Sequence, residues 1–239
     1  MSDELPERDP LADLVSRSVG VRVESVVAEE LPADDAIERR RLRYRTSDGE
    51  RTAIFERAPR GVTLAAQLLP FLARKSDRVP LVHARGLPPP HAALGPWVLF
   101  EDVLGAPTAC DGDPADVVRA KLAIERSVAD DEPALRALGV RADGRGLPPV
   151  LAALPRVLVH GDLRCATARR VERGVVIAGW SAAFLGCGAL DVASLVLDLE
   201  RAGRSTEAVR AAYAAASGAD DPVAVVVAAI ALVRSATVK

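Results

Sequence analysis

Between Leu158 and Trp180 the chain reads LVHGDLRCATARRVERGVVIAGW. His160, Gly161 and Asp162 leave a short apolar run, which is how a phosphoryl-transfer loop opens, with a carboxylate set where a hydroxyl must be oriented. The residues beyond Asp162 do not continue in that sense. No carboxylate occurs between Glu172 and Asp191, so the next strand carries no acid to grip a metal ion. Cations gather instead: Arg164, Arg169 and Arg170 could bind a phosphate or carboxylate, or simply form a solvated basic turn. Cys165 stands beside Arg164, whose charge could lower a thiol pKa; a small residue filling a gap is the plainer reading. His83 and His91 have no partner at metal-ligand spacing. Of the 31 basic residues only Lys75, Lys121 and Lys239 are lysines, so chemistry that needs an ammonium group has few candidates.

The composition suits one two-lobed domain or two small ones. At 239 residues with 49% apolar and 27% charged residues, the chain can bury a sizeable core and reads as an ordinary globular protein. A formal charge of −2 gives no basic field for nucleic acid or an anionic membrane, and neither partner is expected. Cys110, Cys165 and Cys187 are too few and too scattered for a disulfide framework or a zinc site. The opening MSDELPERDP is unlike a signal peptide, and the longest apolar run, from Pro222 to Val233, is too short to span a bilayer. That run reads as a buried helix, and a reducing cytoplasm is the expected location.

The elements that must position the loop are legible in outline. A short helix near Pro10 to Arg17 precedes three strand-like runs at 21–31, 37–47 and 51–58, joined by turn-forming LPADD and DGE, which predicts an antiparallel meander. Leu64, Leu68 and Leu72 mark one face of a helix over 62–74. A short strand after Pro80, a Pro-rich loop and a strand at 97–103 complete a small sheet. From Asp113 the pattern is mostly helical, with helices near 114–130 and 147–154 and two short strands at 157–160 and 174–179. Val192, Leu195, Val196 and Leu199 then form a helical stripe. The fold class is α+β, with an N-terminal lobe over 1–103, a helical lobe over 104–239 and a lobe boundary around 104–114.

With HGDL at 160–163, the strand WVLFEDVLG, the segment LPRVLVHGDL and the later GCGALDVASLV, the chain resembles the aminoglycoside phosphotransferase and choline kinase-like family over roughly residues 20–200. Those proteins are small-molecule kinases that share the protein-kinase fold. The resemblance implies that Asp162 is the acceptor-orienting catalytic aspartate, that His160 packs behind the loop, and that Asp191 braces it. It also implies that adenine would meet the backbone of Glu101, Asp102 and Val103 at a hinge.

The same resemblance implies what is missing. The family carries a metal-binding asparagine where this chain has Thr167, and a metal-binding aspartate where it has Gly179. Glu56 occupies the place of the phosphate-gripping lysine, where an acid would repel a triphosphate. Residues 62–73 offer no glutamate to hold such a lysine. A metal bridging phosphate oxygens supplies several kcal/mol of transition-state stabilisation, and each ~1.4 kcal/mol is tenfold in rate. The expectation is therefore a degenerate, catalytically impaired member that binds a small molecule or a protein partner, with no metal and no cofactor. One alternative is an active ATP- or GTP- and magnesium-dependent phosphotransferase using Asp162. Another is an assembly subunit in which the cleft is vestigial.

Overall fold

The structure is a computed structural model that describes residues 10–32, 37–58, 64–87, 95–144 and 146–237. His91, most of the Pro-rich loop, part of the LPADD turn and Lys239 lie outside the described residues. The chain divides into two compact units: residues 1–66 with 81–102, and residues 67–80 with 103–239.

The first unit is built on a five-stranded antiparallel sheet, in the order β1-β2-β3-β5-β4. Its strands are β1 (Ser25–Glu30), β2 (Glu38–Thr46), β3 (Gly49–Arg57), β4 (Val82–Gly86) and β5 (Trp97–Glu101). Side chains alternate between faces along each strand, and the register places Leu42 opposite Ala53 and Phe55 opposite Leu99. One face thus collects Leu42, Tyr44, Ala53, Phe55 and Leu99 into a core. Helix α1 (Pro10–Val19) covers that face with Leu11, Ala12, Leu14 and the fully buried Val15. Ile54, Glu56, Val98 and Phe100, one residue out of phase, belong to the other face and are buried as well. His83 falls where the β4–β5 register shifts between Val82 and Ala84.

The second unit begins inside α2 (Leu64–Ala73). Residues 75–79 follow it there because their backbone and charges are spent on it: Lys75 pairs with Asp131, Arg78 donates to the Arg173 carbonyl, and the Ile177 amide donates to the Arg78 carbonyl. Helices α3 (Ala115–Ser127), α4 (Glu132–Ala137) and α5 (Pro149–Ala152) precede four short strands. These are β6 (Arg156–Val159), β7 (Ala168–Val171), β8 (Gly174–Ile177) and β9 (Phe184–Cys187), with β6 paired to β9 and β7 to β8. The region is less purely helical than its sequence suggests, because β7 and β9 accompany the two strands expected.

Helices α6 (Ala189–Arg201), α7 (Glu207–Ala216) and α8 (Pro222–Thr237) complete the unit. Val192, Leu195, Val196 and Leu199 are all buried, as their spacing requires. The apolar run near the C-terminus is α8, packed on α6 with Val225, Val226, Ala229 and Ile230 buried. No described helix is long and apolar enough to cross a membrane.

Candidate functional site

β6 delivers the chain to His160, which is wholly buried. Its Nε2–H donates to the Ala178 carbonyl at 2.8 Å, and its Nδ1 accepts from the Asp162 amide at 3.2 Å. A carbonyl can only accept and an amide can only donate, so these partners fix one neutral tautomer. Burial lowers the His160 pKa, with the nearby Asp191 charge opposing. The imidazole also meets the Trp180 ring edge-on at 4.7 Å.

Asp191, in the first turn of α6 and wholly buried, holds the loop from behind. Its Oδ2 accepts from the His160 amide at 2.7 Å and its Oδ1 from the Gly161 amide at 3.0 Å. The balancing charge is Lys121, whose Nζ lies 3.4 Å from Asp191 Oδ2 and also pairs with Glu125 one turn along α3. Lys121 is itself buried, which lowers its pKa while Asp191 opposes the shift. Gly161 sits at φ +87°, and a Cβ there would lie 2.2 Å from the Ala182 carbonyl oxygen. Only glycine fits both demands.

The loop brings Asp162 out with its carboxylate 44% exposed, and Arg164 Nη2 lies 2.5 Å from Oδ2. The acid that the sequence resemblance assigns to the acceptor-orienting position is thus engaged by a cation two residues away. Thr167 closes the loop on itself: its hydroxyl accepts from the Arg164 amide at 3.1 Å and donates to the Arg164 carbonyl at 2.9 Å. The Ala178 amide donates to the Thr167 carbonyl at 2.9 Å, which sets Thr167 beside the Ala178–Gly179 segment, the two places where the resemblance would expect metal ligands. At Gly179, with φ +83°, a Cβ would meet Thr167 Cγ2 at 3.6 Å.

These residues do not fit the magnesium ion that the fold implies. Magnesium asks for an octahedron of oxygen donors at about 2.0–2.1 Å, with at least one carboxylate. Gly179 has no side-chain donor, and the Thr167 hydroxyl is bonded within its own loop. Among the described residues no group of three or more His, Cys, Asp or Glu side chains is arranged to hold a metal ion.

Elsewhere the expected positions have partners of their own. Glu56 is buried on β3 directly opposite Arg39, whose Nε and Nη2 each donate to Glu56 Oε2 at 3.0 Å. The acid expected to repel a triphosphate is therefore one half of a cross-strand ion pair with no net charge. The Glu101 amide donates to the Leu81 carbonyl at 2.8 Å, Asp102 Oδ2 pairs with Arg41 at 2.7 Å, and the Val103 carbonyl accepts from Ala106 at 3.1 Å. The arginines after the loop are engaged too, Arg169 with the Ala106 carbonyl and Arg170 with Asp116 at 2.8 Å.

Three contributions were missed from the sequence. Cys110 and Cys165 form a disulfide across a separation of 55 residues, with Cα atoms 5.5 Å apart. This corrects the reading of Cys165 as a small residue filling a gap, and shows one disulfide where three cysteines read as too few and too scattered for a disulfide framework. Asp198 of α6 accepts from the Cys165 amide at 2.8 Å. Lys121 is the third, and a signal for it existed. It falls on the stripe of Val117, Val118 and Ile124 in α3, where a cation must find a buried partner.

No protein-family profile matches the chain, and no curated protein sequence does. Solved structures do. A spectinomycin phosphotransferase in complex with ADP and spectinomycin superimposes with a TM-score of 0.65 at 9% identity, over 96% of this chain and 85% of that one. An amicoumacin kinase in complex with AMP-PNP and calcium gives 0.58 at 11% identity, over 88% and 77%. At such identities the likeness establishes the fold, and the chain has the α+β, protein-kinase-like fold of these phosphotransferases.

Proposed function

We propose that this protein is a catalytically silent relative of the small-molecule phosphotransferases, a binding module that retains the frame of the phosphoryl-transfer loop without the means to hold magnesium. One observation carries the reading. The loop scaffold of His160, Gly161 and Asp191 is hydrogen-bonded together, while Thr167 and Gly179 offer neither a carboxylate nor an amide side chain. A decayed site with no remaining use would not be expected to keep a buried Lys121–Asp191 pair, since burying two charges costs several kcal/mol per ion before they attract one another.

Asp162 held by Arg164 fits the same reading, because the acceptor-orienting carboxylate is engaged internally. The ligand class is suggested by a structural neighbour that was solved with ADP and spectinomycin together. A polar small molecule is the proposed ligand here. The test is phosphoryl transfer from ATP and GTP, with magnesium or manganese, to aminoglycoside, choline-like and sugar acceptors. The expected outcome is no turnover above the protein-free rate. Turnover that disappears on Asp162→Ala would overturn the proposal.

A further inference from the structure

The disulfide joins the loop to a turn that takes no part in the His160–Asp191 scaffold. Cys165 lies three residues beyond Asp162 and two before Thr167. Cys110 sits in a separate 3₁₀ turn, Ala109–Asp111, and is wholly buried, whereas Cys165 is half-buried. Weaker links run alongside. Thr108 Oγ1 donates to the Cys165 carbonyl at 3.0 Å, and Thr108 bridges Arg169 in antiparallel fashion. The Arg170 amide donates to the Pro107 carbonyl at 2.9 Å. On the loop's other side only the Asp198 carboxylate holds the Cys165 amide. The third cysteine, Cys187, is free and buried, so it cannot compete for either partner without unfolding.

We propose that Cys110 and Cys165 form a reversible redox-modification site, and that reduction releases the 162–167 loop from the 108–111 turn while the unit around it stays folded. The reductant is a dithiol. Its thiolate attacks the sulfur of Cys165, the less buried of the two residues, and the Cys110 thiolate leaves and takes up a proton. The second thiolate of the reductant then attacks the reductant's own sulfur in the mixed disulfide, expelling the Cys165 thiolate, which is protonated in turn. Two protein thiols and one cyclic disulfide result, with two electrons passed. The bond's effect falls on Asp162 and Arg164, since both lie between the covalent anchor at Cys165 and Gly161, whose amide is held by the buried Asp191 carboxylate. With the bond closed, that span is pinned at both ends. With it open, Cys165 itself is held by the hydrogen bonds to Thr108 and Asp198, and the chain is next fixed at Thr167 by the Ala178 amide.

The experiment uses the full chain, equilibrated with oxidised glutathione and then treated with graded dithiothreitol under native conditions. Alkylation after denaturation counts thiols by intact mass, and hydrogen–deuterium exchange follows peptides over 160–171 and over α6. The expected result is one thiol in the oxidised form and three after reduction, at least tenfold faster exchange over 160–171, and unchanged exchange over α6. The Cys110→Ser/Cys165→Ser variant should exchange like the reduced form under both conditions. If that variant does not fold, the reduction of the natural chain decides alone. Three thiols after glutathione treatment would overturn the proposal, as would a bond that resists native reduction. Reduction that leaves exchange over 160–171 unchanged, or that speeds it equally in α6, would overturn it too.

Discussion

His160 shows how one buried ring can set the geometry of a loop and leave a signature in stability. Its Nδ1 must stay unprotonated to accept from the Asp162 amide, so the folded chain resists a proton that the unfolded chain takes up. The pKa is lowered from 6.5 by burial, which fixes the sign: stability is complete above about pH 6.5 and is lost as pH falls below it, by up to about 1.4 kcal/mol per pH unit. His83, also lowered by burial, adds a contribution of the same sign. Urea unfolding between pH 7.5 and 5 should therefore show a declining midpoint, and His160→Gln should remove part of that decline. A midpoint equally pH-dependent in the variant would contradict the assignment. At this scale the sequence was informative about identity and poor about pairing. His160, Asp162 and Asp191 were legible as a loop and its supports, whereas the Arg39 partner of Glu56 and the Arg164 partner of Asp162 depend on strand register and loop closure.

Among the elements, α3, α6 and β6 meet at the Lys121–Asp191 pair, so the loop is held through helix packing as well as by its own hydrogen bonds. Asp191→Asn removes the charge that balances Lys121 and turns an amide donor toward the His160 or Gly161 amide. It should cost about 3 kcal/mol, as breaking a buried pair does. Adding Lys121→Met removes a buried cation that Glu125 would then have to balance by itself, so the double variant should be more stable than the sum of the single changes by about 1 kcal/mol or more. Strict additivity in chemical denaturation would show that the two groups are not coupled. The helices and the meander were readable because each shows its own period, such as the stripe through Val192, Leu195, Val196 and Leu199. Strands β7 and β9 were not, because four residues each, in ARRV and FLGC, carry too little alternation to stand out. The disulfide was hidden for a different reason: only the folded path of the chain brings two residues 55 apart within bonding distance.

In the molecule as a whole, fold and chemistry are separable. Each unit buries its own core, and the protein-kinase-like fold persists at about a tenth sequence identity to solved phosphotransferases, since a fold needs apolar pattern and turns while phosphoryl transfer needs particular donors. The boundaries of the units are less legible than their contents. Residues 67–80 cluster with the second unit although they precede the last two strands of the first. On the proposed reading, the frame would allow a metal grip to be restored at Thr167 and Gly179. Gly179 is left-handed, a conformation that aspartate tolerates better than most residues, and a Cβ there would meet Thr167 Cγ2 at an ordinary contact distance of 3.6 Å.

The most direct measurement is the thermal unfolding midpoint with ATP or GTP, each with and without magnesium, for the natural chain and for the Thr167→Asn/Gly179→Asp variant. A nucleotide present at about 100 times its dissociation constant adds about 2.7 kcal/mol, roughly 5 to 10 °C for a chain of this size. If magnesium has lost its grip at Thr167 and Gly179, the natural chain shows no magnesium-dependent shift and the variant shows one. A magnesium-dependent shift in the natural chain would contradict that claim, because some group other than Thr167 and Gly179 would then be holding the metal.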